Sequence, residues 1–200
     1  MSDSEAAGLR DRLVDVGVEL VASEGAQALT LREIARRAGV SHGAPRRYFP
    51  THLELLSAIA RRGFADLGER AAGAIGAIGA IGDGTASPRA QVTALSRTYL
   101  EFALDNPGMY ELMFRHDLLE SGHLGLRETS LPLFGALVDL VGRARPDVDA
   151  RHVAGALWAN LHGLAQLWHW GSLQLATGAD DFVPLLRSAL DAHLGPEAAL

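Results

Sequence analysis

The chain has 200 residues, of which 48% are hydrophobic, and a formal net charge of −6, which suits one substantial core with a small appended module. It has no cysteine, which excludes disulfides, thiolate zinc sites and cysteine nucleophiles. No apolar run approaches the roughly 18–20 residues that cross a bilayer, and residues 1–12 are polar and acidic where a signal peptide is basic and then apolar, so we expect a cytoplasmic protein.

The first predicted elements are two helices that precede a sharp turn. An opening helix ends at Gly25 and has apolar residues at helical spacing, at Leu9, Leu13, Val16, Leu20 and Val21. Thr30 followed by Glu33 has the spacing of a capping box, so we expect a second helix to begin at about Leu31. Its buried stripe is Leu31, Ile34, Ala35 and Ala38, and Gly39 ends it.

A third short helix is predicted after the turn at Gly39 and Val40. Ser41 can cap it, and it runs from about His42 to Tyr48. Pro45 lies inside this segment and has no N–H to donate to the Ser41 carbonyl. The start of the helix is therefore rigid but lacks one hydrogen bond. Residues 30–49 therefore have the pattern of a helix-turn-helix, whose second helix enters the major groove of DNA.

The distribution of charge agrees with a DNA-binding role for this region. Residues 32–62 contain seven arginines against Glu33 and Glu54, whereas residues 71–200 carry the whole net negative charge. Arg36 and Arg37 fit either DNA contact or plain surface charge, and the alternative for the other side chains is a solvated charged face. The predicted contacts, including small residues that allow close approach to bases, are Thr30, Arg32, Ser41, His42, Gly43, Ala44, Arg46, Arg47 and Tyr48.

All later periodic segments also read as helices, so we predict an all-α fold. Thr51 and Glu54 open a helix that leads out of the DNA-binding region. It reaches the repeat AIGAIGAIG at residues 74–82, which we expect to be a frayed end or mobile loop because each glycine costs about 1 kcal/mol in a helix. A ligand gate and a simple flexible linker are the two interpretations of that loop. Further helices are predicted from Ser87-Pro88 to Asn106, at about 109–116, around 133–141, at about 149–175 and at about 181–194.

The second half offers two other candidate sites. An aromatic and methionine set can line an apolar pocket or can simply form the core; its members are Tyr99, Phe102, Tyr110, Met113, Phe114, Phe134, Trp158 and Trp168, with His162, Asn160 and Gln166 as sparse polar groups. Only proximity in sequence suggests a metal site at His116, Asp117, Glu120 and His123, so we expect none. No serine, histidine or aspartate lies in a nucleophile motif, and no motif indicates a cofactor, so we expect no enzyme.

Together these features resemble the TetR family of bacterial transcriptional regulators. The stretch GLRDRLVDVGVELVASEGAQALTLREIARRAGVSHGAPRRYFPTHLELLSAI is similar to the family's N-terminal domain, and Trp158, His162 and Gly163 form a Trp-x-x-x-His-Gly signature of its C-terminal domains, which NPGMYELMFRH also resembles. The resemblance implies a DNA-binding domain at 1–67 and a helical ligand-binding and dimerisation domain at 68–200. Arg46 stands where the family commonly has an aromatic residue, and His52 stands where it commonly has a lysine for phosphate.

The family likeness also implies an assembly and a mode of regulation. We expect a homodimer that represses transcription from a pseudo-palindromic operator and is released by a small, largely apolar effector. A ligand-binding dimer without DNA binding and a TetR-like activator are the alternatives. The ligand set implied is the aromatic set above with His162 and Gln166, and the expected interface on the last two long helices comprises Val153, Leu157, Leu161, Gly163, Leu164, Leu185, Ala189 and Leu190.

Overall fold

The computed structural model describes residues 3–81 and 86–196, with side chains at 8–78 and 86–196. Within these ranges every regular element is helical, which confirms the predicted all-α class. The α-helices are α1 Asp3–Glu24, α2 Leu31–Arg37, α3 His52–Ile81, α4 Pro88–Asp105, α5 Pro107–Met113, α6 His116–Ser121, α7 Leu126–Ala144, α8 Ala150–His169, α9 Ser172–Thr177 and α10 Val183–Leu194. None of the helices described is long and apolar enough to span a membrane.

The chain forms two compact units. The first unit comprises Met1–Asp66 together with Asn106–Ser130, and the second comprises Leu67–Asp105 together with Leu131–Leu200. The sequence pattern predicts a domain boundary between residues 67 and 68 but gives no hint that residues 106–130 group with the first unit. That prediction concerns the family's domains, whereas in the compact units the chain passes from one unit to the other three times, after Asp66, Asp105 and Ser130.

The core of the first unit is formed by α1, α2 and the start of α3. Gly25, with φ of 82°, ends α1 as predicted. Gly17 allows α3 to approach closely, since a Cβ there would lie 2.3 Å from Ile59 Cδ1. Apolar side chains from all three helices are fully buried in this core, among them Leu13, Leu20, Ile34, Leu55 and Ile59.

Helix α5 packs directly on α1 within the first unit. A Cβ on Gly108 would lie 2.6 Å from the Val21 carbonyl oxygen and 3.0 Å from the Gly25 Cα, so only glycine allows the two backbones to come this close. Gly63 leaves comparable room for Met109 and Met113. Pro107 occupies the first position of α5, a position that proline favours, and the helix predicted to run to about His116 ends earlier, at Met113.

The glycine-rich repeat is helical over its described residues, which corrects the expectation of a frayed end or mobile loop. Helix α3 continues to Ile81, and Gly82 lies outside the described residues. Each glycine still disfavours the helix, but extending a long helix avoids the cost of nucleation. Ile75 and Ile78 are half-buried one turn apart and give this part of α3 an apolar face.

The second unit is built around α8, which packs on α4, α9 and α10. Asp149 caps α8, with the His152 amide donating to its carboxylate at 3.0 Å. The single helix predicted from Asp149 to Leu175 is wrong, because α8 ends at His169 and Gly171, with φ of 75°, separates it from α9. Helix α7 also begins earlier than the stripe at Leu133 suggested, and it accommodates Pro132.

Candidate nucleic-acid interface

The start of α2 is fixed by a single cap. The Glu33 amide donates to Thr30 Oγ1 at 3.2 Å, which confirms the predicted N-cap. The reciprocal half of the capping box is absent here, because the Glu33 carboxylate accepts bonds from Arg36 and Arg37 and the Thr30 amide donates to the Ala28 carbonyl. Thr30 is exposed, so its side chain is accessible to a DNA phosphate at the start of α2.

Residues 41–48, called here the recognition segment, do not form the predicted α-helix. Two turn residues follow Ser41, and only Pro45–Arg47 forms a short 3-10 turn, which Ala44 precedes. Pro45 has no N–H to donate to the Ser41 carbonyl, and its ring would crowd that carbonyl in an α-helix. The Ser41 carbonyl instead accepts the Ala44 amide at 2.9 Å, and the Phe49 amide closes the segment on the Pro45 carbonyl at 2.8 Å.

The arginines of this region fall into two groups. Arg36 and Arg37 both bond the Glu33 carboxylate, and Arg37 also bonds Glu24. The hydrogen bonds from these arginines lower the pKa of Glu33 to about 2. Since both guanidiniums are committed to carboxylates, the structure favours surface charge over DNA contact for this pair.

Arg32, Arg46 and Arg47 form the second group. All three are exposed, and none is paired with a carboxylate in the part of the chain that the structure describes. Their guanidiniums therefore keep the forked N–H donors that bind phosphates and guanine edges. Of the other predicted contacts, Ser41, His42 and Gly43 are exposed and Ala44 is half-buried.

Tyr48 and His52 are placed differently from the expectation. The Tyr48 hydroxyl is buried without a hydrogen-bond partner among the described residues, so it is turned away from solvent in this conformation. The His52 Nε2 lies 2.5 Å from the Leu29 carbonyl oxygen, which ties the start of α3 to the loop before α2. Because a carbonyl oxygen only accepts, Nε2 donates in this contact, and a neutral His52 ring has no second N–H for a phosphate.

Sequence reasoning missed Arg10, which lies beside the recognition segment. Its guanidinium carbon stacks over the Phe49 ring at 5.1 Å from the centroid. Phe49 is fully buried. Helical periodicity places Arg10 next to the apolar stripe of α1 but carries no signal for this contact, which joins residues 39 positions apart.

In the second unit, the structure brings Tyr99, Trp158 and His162 together. The Trp158 indole donates to the Tyr99 hydroxyl at 3.2 Å, and that hydroxyl lies 3.0 Å from His162 Nδ1. Burial lowers the pKa of His162, which favours the neutral ring, and a neutral ring with its hydrogen on Nε2 accepts a hydrogen bond from the Tyr99 hydroxyl at Nδ1. Phe134 lies beside Trp158, with ring centroids 6.0 Å apart.

The predicted ligand set is divided between the two units. Tyr110, Met113 and Phe114 belong to the first unit, where Tyr110 and Met113 are buried in its core. Tyr99, Phe102, Phe134, Trp158, His162 and Gln166 belong to the second unit, as do Trp168 and Asn160. The ligand set as a whole stays a prediction, and within the second unit hydrogen bonds join Tyr99, Trp158 and His162.

The predicted dimer stripe is mostly core, which corrects the expected contact residues. Leu157, Leu161, Leu164, Ala189 and Leu190 are buried where α8 packs on α4 and α10 of the same chain, and Val153 and Leu185 are half-buried. Gly163 differs, because a Cβ there would meet nothing within 4 Å. It lies on what we call the exposed α8 face, formed by Ala156, Ala159, Gly163, Leu167 and Trp170.

The acidic and histidine cluster of α6 shows no metal-binding geometry. His116 Nε2 lies 3.5 Å from a Glu120 carboxylate oxygen, and Arg115 binds the Asp117 carboxylate. No group of three or more metal-ligating side chains is found among the described residues. These contacts are those of a solvated helix face.

Comparison with known proteins agrees with this arrangement. Residues 13–59 match the family model of bacterial regulatory proteins, tetR family, and residues 92–191 match that of the tetracyclin repressor-like C-terminal domain. The chain belongs to the TetR family. As a TetR-family protein it is a DNA-binding transcriptional regulator and not an enzyme.

TetR-family relatives and structures are similar to different extents. The nucleoid occlusion factor SlmA of Actinobacillus pleuropneumoniae is 32% identical over 111 residues, which cover 55% of this chain and 52% of SlmA, so the chain spans about half the length of this relative. A protein of unknown function from Rhodococcus sp. RHA1 has a TM-score of 0.77 at 26% identity, covering 93% of both chains.

A structural neighbour of lower sequence identity was solved with an acyl coenzyme A and with DNA. AibR, in complex with isovaleryl coenzyme A and operator DNA, has a TM-score of 0.65 at 13% identity, covering 94% of this chain and 100% of AibR. At that identity the likeness concerns the fold alone.

Proposed function

We propose that this TetR-family regulator is a homodimeric repressor that acts in the cytoplasm, binds a pseudo-palindromic operator and is released by a small, largely apolar effector. The observation that carries the proposal is the split of the arginines in the first unit. Arg32, Arg46 and Arg47 are exposed without carboxylate partners, whereas Arg36 and Arg37 are held by Glu33 and Glu24. The basic surface that remains for DNA is therefore centred on the recognition segment.

Selection of bound sequences from random duplexes tests this proposal. The wild type should enrich one inverted-repeat site, because two identical heads read two half-sites. The double variant Arg46→Ala/Arg47→Ala should lose the enrichment. The double variant Arg36→Ala/Arg37→Ala changes the net charge equally and should retain it, since those guanidiniums are committed to carboxylates.

The outcomes separate this proposal from its alternative. Equal loss in both double variants would mean that overall charge, and not the recognition segment, governs binding. No enrichment by the wild type would favour a ligand-binding dimer that does not bind DNA. Placing the selected site in a promoter upstream of a reporter then separates repression, which we expect, from activation.

The exposed α8 face supports the homodimer. Its first three residues, Ala156, Ala159 and Gly163, are small and allow close approach of another helix, while Trp170 is 67% exposed. On α10 the small residues Pro184, Ser188 and Ala192 recur on the exposed side at a spacing of four. A second copy of the chain covers both stripes if α8 and α10 pair with their counterparts as a four-helix interface.

The hydrogen-bonded trio in the second unit supports the effector. Tyr99, Trp158 and His162 form a polar chain at an otherwise apolar place beside Phe134. Apolar pockets with a few fixed polar groups are typical of small-molecule sites. AibR, which shares the fold, was solved with both isovaleryl coenzyme A and operator DNA.

A release assay tests the effector. Phenols and short fatty acids are added to the complex of the protein with the selected duplex, and release is followed by fluorescence anisotropy. We expect at least one compound to release the duplex from the wild type and to fail with Tyr99→Phe. Release by no compound, or equal release from the variant, would contradict the assigned site.

A further inference from the structure

We infer that Arg10 of α1 is a DNA phosphate contact, held in place by its stack on Phe49. The inference rests on the proposed DNA binding through the recognition segment and adds a contact residue from a different helix. Arg10 is half-buried, and in the described part of the chain it is not paired with a carboxylate. Its positive charge is therefore not neutralised by a described acidic group.

The position of Arg10 follows from the contacts of Phe49. The Phe49 amide donates to the Pro45 carbonyl, so Phe49 closes the turn that carries Arg46 and Arg47. Arg10 stacks on the ring of that residue at 5.1 Å. Its guanidinium therefore lies at the edge of the recognition segment and extends the basic surface onto α1.

Stacking also prepares the side chain for an anion. A guanidinium that lies over an aromatic face keeps its N–H donors in its own plane, where they can bind a phosphate in forked geometry. The stack restricts a long side chain before DNA arrives, so less rotamer entropy is lost on binding. The start of α3 follows Phe49 by three residues, with Thr51 bonded to the Glu54 amide at 3.1 Å.

Two other arginines of the first unit differ from Arg10, because each is bonded to another residue of that unit. Arg61 donates to the Leu124 carbonyl at 2.7 Å, and Arg62 binds the Asp15 carboxylate at 2.9 Å. Arg12 is exposed, two residues from Arg10 and so about 200° around the helix axis. Arg12 therefore carries the same charge on the same helix but lies away from Phe49.

The salt dependence of binding to the selected duplex tests the inference. Affinity is measured by anisotropy from about 50 to 200 mM KCl for the wild type, Arg10→Ala, Arg10→Lys and Arg12→Ala. Losing one phosphate contact per head lowers the slope of log K against log salt by about 0.9 per head, or about 1.8 for a dimer. We expect this change for Arg10→Ala, partial recovery for Arg10→Lys, and the wild-type slope for Arg12→Ala.

Three results separate the outcomes. If Arg10→Ala and Arg12→Ala have the same slope and affinity, Arg10 makes no phosphate contact, even if Arg10→Ala melts at a lower temperature. If the wild type itself binds no duplex in a salt-dependent manner, the proposed DNA binding is wrong, and the inference about Arg10 is wrong with it. If only Arg10→Ala lowers the slope while its circular dichroism remains that of the wild type, the inference holds.

Discussion

At the residue scale, the carboxylates of Glu33 and Glu24 decide which of the nearby arginines are left without an acidic partner. Glu33 accepts from Arg36 at 2.5 Å and from Arg37 at 2.8 Å, so two of the five arginines between residues 32 and 47 are neutralised locally. The sequence showed that positive charge is concentrated there, but helical spacing allows Glu33 either to cap its helix or to bind arginines. Which of the two roles Glu33 takes depends on the geometry of its side chain, and a sequence pattern does not contain that geometry.

The titration of Glu33 checks this arrangement. Its pKa is lowered from 4.5 to about 2 by the hydrogen bonds from Arg36 and Arg37. Because the folded pKa is depressed, the contribution to stability is present above about pH 4.5 and is lost as the pH falls through about 2. We expect a carboxyl carbon NMR midpoint near pH 2, rising toward 4.5 in Arg36→Gln/Arg37→Gln. A midpoint near 4.5 in the wild type would contradict the ion pairs.

Thr30 gives a second prediction at this scale. Its hydroxyl accepts the Glu33 amide, and replacing a threonine N-cap by alanine costs about 1 kcal/mol of unfolding free energy. Urea denaturation of Thr30→Ala should show this loss. Thr30→Ser retains the capping oxygen and should be near the wild type, so equal losses in both variants would mean that the cap contributes little.

At the element scale, the recognition segment shows where sequence reasoning succeeds and where it fails. The caps at Thr30 and Thr51 and the stops at Gly25 and Gly39 were predictable, because each depends on a few adjacent residues. The backbone conformation of residues 42–48 was not predictable from the sequence. The free-energy cost that Pro45 imposes on an α-helix competes there with the packing around Phe49. The contact of α5 with α1 was also hidden, since nothing local links Gly108 to Val21.

Two glycines give opposite predictions for stability. In Gly108→Ala the new Cβ meets the backbone of Val21 at 2.6 Å, so α1 or α5 must move, and we expect a loss of about 1–3 kcal/mol. In Gly73→Ala the new Cβ meets nothing within 4 Å inside α3, and we expect a gain of up to about 1 kcal/mol from helix propensity. Urea unfolding curves measure both; a loss at Gly73 or none at Gly108 would disagree with these contacts.

At the scale of the whole molecule, the proposed dimer uses a face that is not the predicted stripe. The pattern at Leu157, Leu161 and Leu164 identified a buried helix side correctly, but a sequence pattern cannot tell burial inside one chain from burial against a second. Small residues on the opposite side, such as Ala159 and Gly163, carry almost no hydrophobic signal. Their place on the exposed side of α8 follows only from the packing of the core.

Gly163→Trp tests this face. A tryptophan there should block the close approach of a second copy and give a monomer by size-exclusion chromatography with light scattering. Gly73→Trp is the matched control, because both positions are helical glycines whose Cβ would meet nothing within 4 Å. It should remain dimeric. Dimers of both variants would place the interface elsewhere.

The most direct test of the central claim is a hydroxyl-radical footprint of the protein on its selected duplex. Two heads that read successive major grooves should protect two patches on one side of the DNA, about 34 Å apart. Arg46→Ala/Arg47→Ala should remove both patches, and Arg36→Ala/Arg37→Ala should leave both in place. One patch, patches at another spacing, or protection that survives the loss of Arg46 and Arg47 would contradict a dimeric regulator that reads DNA through this segment.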